Sequence, residues 1–367
     1  MGGTNEAAAM IAGLCRGARN AAIFAIAAVA GCVAIGRALP LPEVPQVKEK
    51  LDWFRAHRGD YTALFLGTSR VRRHIIPSLF DRLAAEHGME MRSFNLGVDS
   101  LAAPEDGYVL DHALAAAPPR LRYVFVELSY FRANFAGQGA DTIRSAYWHD
   151  WMRTRAVLRQ LIDADLRHIK PLKKRKKDKW RTWMAELGEW TGIVLEHGRL
   201  LVQRTTNLGR GAALLRHITG RRPTTDPLVP LGPGRDGFIP SAAETVVRGA
   251  AATAYEAQIA ALKSGESRKR TLDRVPQENL ERMLARIRAQ GAQPILFIAP
   301  SHAGLTLYPR RAVAPLFDFS DPLKWPELFE TRYRADAGHL NTAGAEVFTR
   351  VLADKFFALE ESTTRRE

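Results

Sequence analysis

The run LFLGTSRV, residues 64–71, carries an apolar stretch into Gly67, Thr68, Ser69 and Arg70. A serine hydroxyl becomes a useful nucleophile only when a base within hydrogen-bond reach takes its proton, and the base needs a group to orient it. Of the 10 histidines in the chain, one stands in a context suited to that work: Asp336-Ala337-Gly338-His339-Leu340-Asn341. An aspartate and a histidine three residues apart in a tight turn can present both side chains on one side of a loop. The glycine between them permits the turn. The chemistry open to such a set is attack on an acyl carbonyl. The blander readings are a turn serine and a loop histidine packed against the core. Asp318, in LFDFSDP, is a second candidate for the orienting acid.

Those residues need elements to position them. Hydrophobic periodicity predicts helices over 46–57, 77–87, 104–116, 276–290 and 342–358. Pro77 and Pro276 open two of them, and Gly291 closes one. Short apolar strands are expected at 61–66, 92–96, 122–128 and 294–299. Apolar strands alternating with helices are the mark of a parallel sheet covered on both faces. Such sheets present functional residues at the carboxyl ends of their strands, and Ser69 follows the first strand. The stretch from about 137 to 275 breaks the alternation and reads as a mainly helical insertion between the third strand and the last αβ unit.

With these blocks in place, the sequence resembles the SGNH (GDSL-type) hydrolase superfamily. Ser69 in its Gly-Thr-Ser turn resembles the first block, Phe94-Asn95-Leu96-Gly97 the second, and Asp336-x-x-His339-Leu340-Asn341 with Gly344 the last. The resemblance covers about 41–135 and 276–360. It implies a flavodoxin-like three-layer α/β sandwich and a Ser-His-Asp site that cleaves or transfers acyl esters. By position, Ser69 would be the nucleophile, His339 the general base and Asp336 its orienting acid. The Ser69 and Gly97 amides would bind the oxyanion. Asn95, Arg70 and His302 are candidate substrate contacts. Arg72 and Arg73 are further candidates for an anionic group, with a solvated face as the alternative. The third block departs from the family pattern: Phe131 stands where an oxyanion-binding Asn is expected, and Asn134, three residues later, is the candidate substitute. The Thr68-Ser69-Arg70 form resembles a membrane-tethered branch, the DltD-like and polysaccharide-acetylation-associated proteins. That branch implies an acylated envelope polysaccharide as substrate and a membrane O-acyltransferase as partner.

The rest of the composition bears on location. Residues 20–36 carry no charge and lie between Arg19 and Arg37. This stretch is near the lower limit for a spanning helix and longer than the apolar core of a usual signal peptide. The expected organisation is a cytoplasmic tip and anchor over 1–38 and an extracytoplasmic domain over 39–367. Arg16 and Arg19 orient the N-terminus to the cytoplasm. Val29-Ala30-Gly31-Cys32 also resembles a lipoprotein cleavage box, and either route leaves the chain tethered to the inner membrane. The formal net charge of +14 favours acidic partners. Eight of the twelve residues in KPLKKRKKDKWR (170–181) are Lys or Arg, beside Trp180 and Trp183. Behind an export anchor, an anionic membrane surface or acidic polysaccharide fits this run better than nucleic acid, and a solvated loop is the alternative. Cys15 and Cys32 are the only cysteines, so the rest of the chain holds no disulfide framework or cysteine zinc site. No phosphate-binding glycine loop or metal-ligand cluster is seen, and no cofactor or metal is expected.

Overall fold

The computed structural model describes residues 3–38, 44, 46–130, 149–163, 176–206, 215, 218–219, 229–241, 246–266, 268–303 and 305–365. Five parallel strands form the central sheet: β1 (Ala63–Leu66), β2 (Ser93–Asn95), β3 (Tyr123–Glu127), β5 (Gln293–Ile298) and β7 (Leu316–Asp318). Their order is β2-β1-β3-β5-β7. Counted along the chain within this sheet, that is 2-1-3-4-5, a doubly wound order that reverses direction between β1 and β3. Phe65 registers with Asn95 on one side and Phe125 on the other, and Phe125 with Ile295. A second, two-stranded parallel sheet pairs β4 (Arg268–Thr271) with β6 (Leu305–Tyr308).

Every residue of β1 and β3 is buried, so side chains on both faces of the sheet are covered. One face presents Ala63, Phe65, Tyr123, Phe125, Ile295 and Phe297 to a core with Phe80, Phe348, Leu352 and Phe356. Those partners come from α4 (Pro77–Glu86) and α10 (Thr342–Thr364), and α10 packs on both α4 and α3 (Ser69–His74). The other face involves α2 (Lys48–Ala56), α5 (Glu105–Leu114) and α9 (Arg274–Ala289). Aromatic contacts tie the first core together: Phe65 stacks on Phe125 at 4.8 Å between centroids, and Phe80 meets Phe65 edge-on at 5.1 Å. Full burial of each such ring contributes roughly 1.5–3 kcal/mol before entropy is counted.

The chain divides into two compact units. One holds the sheet and comprises 43–135, 155–186 and 225–367. The other comprises 1–42, 136–154 and 187–224. In this second unit α1 runs over Gly3–Ala38. Its segment Ala12–Gly36 is 25 residues long with none of it buried. At about 1.5 Å per residue it reaches ~37 Å, against a bilayer core of roughly 30 Å. Ile23, Phe24 and Ile26 are exposed along it. By length and composition it is able to cross a membrane, as a signal sequence also is.

The remaining described part of the insertion is largely helical: α6 (Trp151–Asp163), α7 (Lys176–Thr206) and α8 (Gly249–Ala261). His149 and His197 form a buried pair, Nε2 to Nδ1, at 2.5 Å. Burial, then the neighbouring His197, pushes His149 down to about 3.

Candidate functional site

The Gly-Thr-Ser turn has a structural reason for each residue. A Cβ on Gly67 would collide with Val71 and with the Glu127 side chain, so only glycine admits the end of β3 here. Thr68 is the N-cap of α3, and its hydroxyl accepts the Arg70 N–H at 3.1 Å. Ser69 is the first residue of that helix and sits just past the carboxyl end of β1.

The histidine arrives from the other end of the chain. Arg334 and Leu340 form an antiparallel bridge, and the Ala335 N–H donates to the His339 carbonyl at 3.0 Å. Asp336 and His339 stand on the tip between them. Asp336 Oδ1 accepts the Gly338 and His339 amides at 2.7 and 2.9 Å, which fixes its carboxylate. Leu340 then enters the core, fully buried. Asn341 caps α10 by accepting the Gly344 N–H at 2.9 Å. A Cβ on Gly344 would collide with the Tyr333 carbonyl. Each part of the Asp-x-x-His-Leu-Asn-x-x-Gly block therefore serves the placement of His339.

The three side chains meet. His339 Nδ1 lies 2.9 Å from Asp336 Oδ2 and 3.0 Å from Oδ1. His339 Nε2 lies 2.8 Å from Ser69 Oγ. With the carboxylate accepting from Nδ1–H, the Nε2 lone pair faces the serine hydroxyl, the tautomer a general base requires. Burial opposes ionisation of Asp336, but hydrogen bonds from the His339 ring and the Gly338 and His339 amides hold it below the usual carboxylate range. Asp318 is engaged elsewhere. It accepts from Tyr308 Oη at 2.5 Å and from Ser320 Oγ at 2.6 Å, so Asp336 and not Asp318 orients His339.

The second block has a different task from the expected one. Asn95 is fully buried, and its Nδ2 donates to the Val71 and Ile75 carbonyls at 2.7 and 2.8 Å. Its Oδ1 accepts the Gly97 N–H at 2.8 Å. Asn95 thus ties the end of α3 to the turn after β2 and offers nothing to a substrate. The Gly97 amide, expected at the oxyanion, is spent on Asn95. Gly97 is glycine because a Cβ would collide with the Arg72 backbone. Lys50 was not anticipated from the sequence: its Nζ, buried, donates to the carbonyls of Asn95, Gly97 and Gly237 at 2.9, 2.8 and 2.7 Å. Burial, then the nearby Arg72, pushes its pKa well below the usual lysine range.

Three arginines near Ser69 part ways. Arg72 and Arg73 pair with Asp99. Arg70 Nε pairs with Glu127 Oε1 at 2.7 Å, and the Glu127 side chain is fully buried. The other oxygen of Glu127 accepts the Thr68 N–H at 2.7 Å. The signal for Glu127 in the sequence was a lone acid at the end of an apolar strand. His302 follows β5. Burial, then the charge on Arg334, lowers its pKa, and the Ala337 backbone near its ring acts to raise it. His74, the last residue of α3, is fully buried and accepts the Leu340 N–H on Nε2 at 2.9 Å. Burial, then Arg334, pushes its pKa well below the usual histidine value. Phe131 and Asn134 lie outside the described residues. Among the described residues, no group of three or more His, Cys, Asp and Glu side chains is placed to hold a metal ion.

No protein-family model matches this chain, and no curated protein matches it.

Proposed function

We propose that the chain is a serine esterase or O-acyltransferase of the SGNH type, tethered to a membrane and acting on acyl esters of an envelope polysaccharide. The observation that carries the reading is the continuous Asp336–His339–Ser69 chain of contacts, 2.9 and 2.8 Å long, at the carboxyl end of β1. Ser69 Oγ attacks the acyl carbonyl carbon while His339 Nε2 takes its proton. The tetrahedral adduct collapses, the ester C–O bond breaks, and the departing alcohol receives that proton. Acyl-Ser69 is left. Water or a sugar hydroxyl then attacks it, gives its proton to His339, and Ser69 leaves as the hydroxyl. Water as acceptor makes an esterase, and a sugar hydroxyl makes a transferase.

The polysaccharide, a membrane O-acyltransferase partner and an extracytoplasmic site rest on the resemblance in the motifs. Support comes from the exposed apolar helix α1 and the net charge of +14, which suits an acidic polymer or an anionic membrane surface. The testing experiment follows hydrolysis of an aryl acetate by wild type, Ser69→Ala and His339→Ala, with a fluorophosphonate to label Ser69. Turnover and labelling lost in both variants support the reading. Turnover that survives Ser69→Ala sinks it.

One observation favours a second reading, a non-catalytic scaffold that binds polymer or the acyltransferase. The Gly97 amide is committed to Asn95, which leaves one expected oxyanion donor out of play. On that reading wild type neither turns over the ester nor takes the label.

A further inference from the structure

We propose that Arg70 supplies the side-chain donor of the oxyanion hole, with Glu127 holding it in place. The proposal rests on the acyl-transfer reading of the Ser69 site and names the group that completes it. A tetrahedral intermediate needs donors at the position its oxygen will occupy, and each such donor typically accounts for about 10²–10³ in rate. The Gly97 N–H is spent on Asn95. The position expected to hold an Asn after β3 is Phe131. A substitute is required close to Ser69.

Arg70 is the next residue. Glu127 ends β3, the sheet neighbour of β1, where the strand order reverses and open α/β sheets form their binding crevice. One buried carboxylate there holds both flanks of the nucleophile: Oε2 takes the Thr68 N–H, and Oε1 pairs with Arg70 Nε, each at 2.7 Å. The Nε contact is an ion pair in which Oε1 accepts no hydrogen bond, and the two Nη groups of Arg70 have no acceptor among the described residues. The Arg70 side chain is 21% exposed, so it is neither sealed in the core nor free in solvent. Its charge also contributes, after burial and Arg334, to lowering the pKa of His302 and His74. Of its neighbours, Arg72 donates to Asp99, and Arg73 lies 3.8 Å from the same carboxylate. Glu127 balances the positive charge when the site is empty. When the carbonyl oxygen turns negative, the Nη groups donate to it, and no proton has to move.

The experiment uses the full chain in detergent micelles, with an aryl acetate as substrate and Arg70→Met, Arg70→Lys and Ser69→Ala as variants. Arg70→Met is expected to lower kcat about 10²–10³-fold with KM within threefold. Ethylguanidinium added to Arg70→Met should restore kcat at least tenfold, and should do nothing for Ser69→Ala. Arg70→Lys should fall between the two. A purely structural Arg70–Glu127 pair gives no guanidinium rescue. The proposal is overturned by kcat of Arg70→Met within threefold of wild type, or by a loss that ethylguanidinium leaves untouched. A wild type with neither turnover nor fluorophosphonate labelling overturns the triad reading and this proposal together. An active wild type that tolerates Arg70→Met overturns this proposal alone.

Discussion

His74 Nε2 accepts the Leu340 N–H at 2.9 Å, and this single bond joins the helix that begins with Ser69 to the residue that follows His339. The two histidine rings meet edge-on with centroids 6.1 Å apart. Ser69 and His339 are separated by 270 residues of chain, so their 2.8 Å contact depends on ties of this kind. The bond requires a neutral imidazole, because a protonated Nε2 has no lone pair to offer.

Acid should therefore weaken the fold through His74. Its folded pKa is depressed by burial, so below about pH 6.5 the unfolded chain binds a proton that the folded chain refuses. The contribution is fully present above that pH and is lost as pH falls, by about 1.4 kcal/mol per pH unit until the folded pKa is reached. Urea melts at pH 7, 6 and 5 should show a shallower loss in His74→Gln than in wild type, by about one proton. Equal slopes would mean that folding leaves the His74 pKa unchanged.

Asp336→Asn should leave the fold intact and cripple turnover. The amide cannot hold His339 in the tautomer that bares Nε2 to Ser69. In the serine-protease template the equivalent loss is about 10⁴ in kcat. Asp318→Asn, which disturbs only Tyr308 and Ser320, should stay within a few-fold of wild type. If the two aspartates exchanged these effects, the assignment of the orienting acid would be reversed.

Asn95→Ala should cost stability rather than substrate affinity. It strips partners from the Val71 and Ile75 carbonyls and from the Gly97 N–H, all buried. A buried polar group left without a partner costs roughly 1–3 kcal/mol. Thermal melts should fall clearly while KM changes little. A raised KM with an unchanged melt would restore Asn95 to the substrate.

Removal of α1 should release the protein from membranes. The full chain is expected to float with phospholipid vesicles at any salt concentration. A chain starting at residue 39 should bind only anionic vesicles, and 0.5 M salt should free it, since added salt screens surface attraction. Salt-resistant flotation of the shorter chain would place the membrane contact in the insertion instead.

The sequence was most legible where chemistry and local pattern coincide. The strand at 61–66 shortens to Ala63–Leu66 and the helix at 77–87 to Pro77–Glu86, because apolar runs and proline mark such elements locally. Asp336 and His339 announce each other at a spacing of three. Helix α3 was missed: SRVRRH offers six residues and no apolar period. Lys50 reads as a surface lysine, since nothing nearby in sequence says that three carbonyls will close on it. Asn95 sits in a recognisable block, yet its task is set by α3, whose helix the pattern did not show. Glu127 acquires its meaning from Thr68 and Arg70, 59 and 57 positions earlier. These misses share a cause. A polar side chain is assigned by partners distant in sequence, and composition does not name them.

The seating of α10 on α3 and α4 has a consequence for biosynthesis. A ribosome delivers Ser69 270 residues ahead of His339. Until α10 emerges and lays Phe348 and Phe356 against the sheet, the proposed base has no fixed place beside Ser69. On the proposed function, a nascent chain that stops short of His339 has no base beside Ser69 and leaves esters intact. On the proposed acyl-transfer reading, the activity of Ser69 arrives only once His339 and α10 are made and seated.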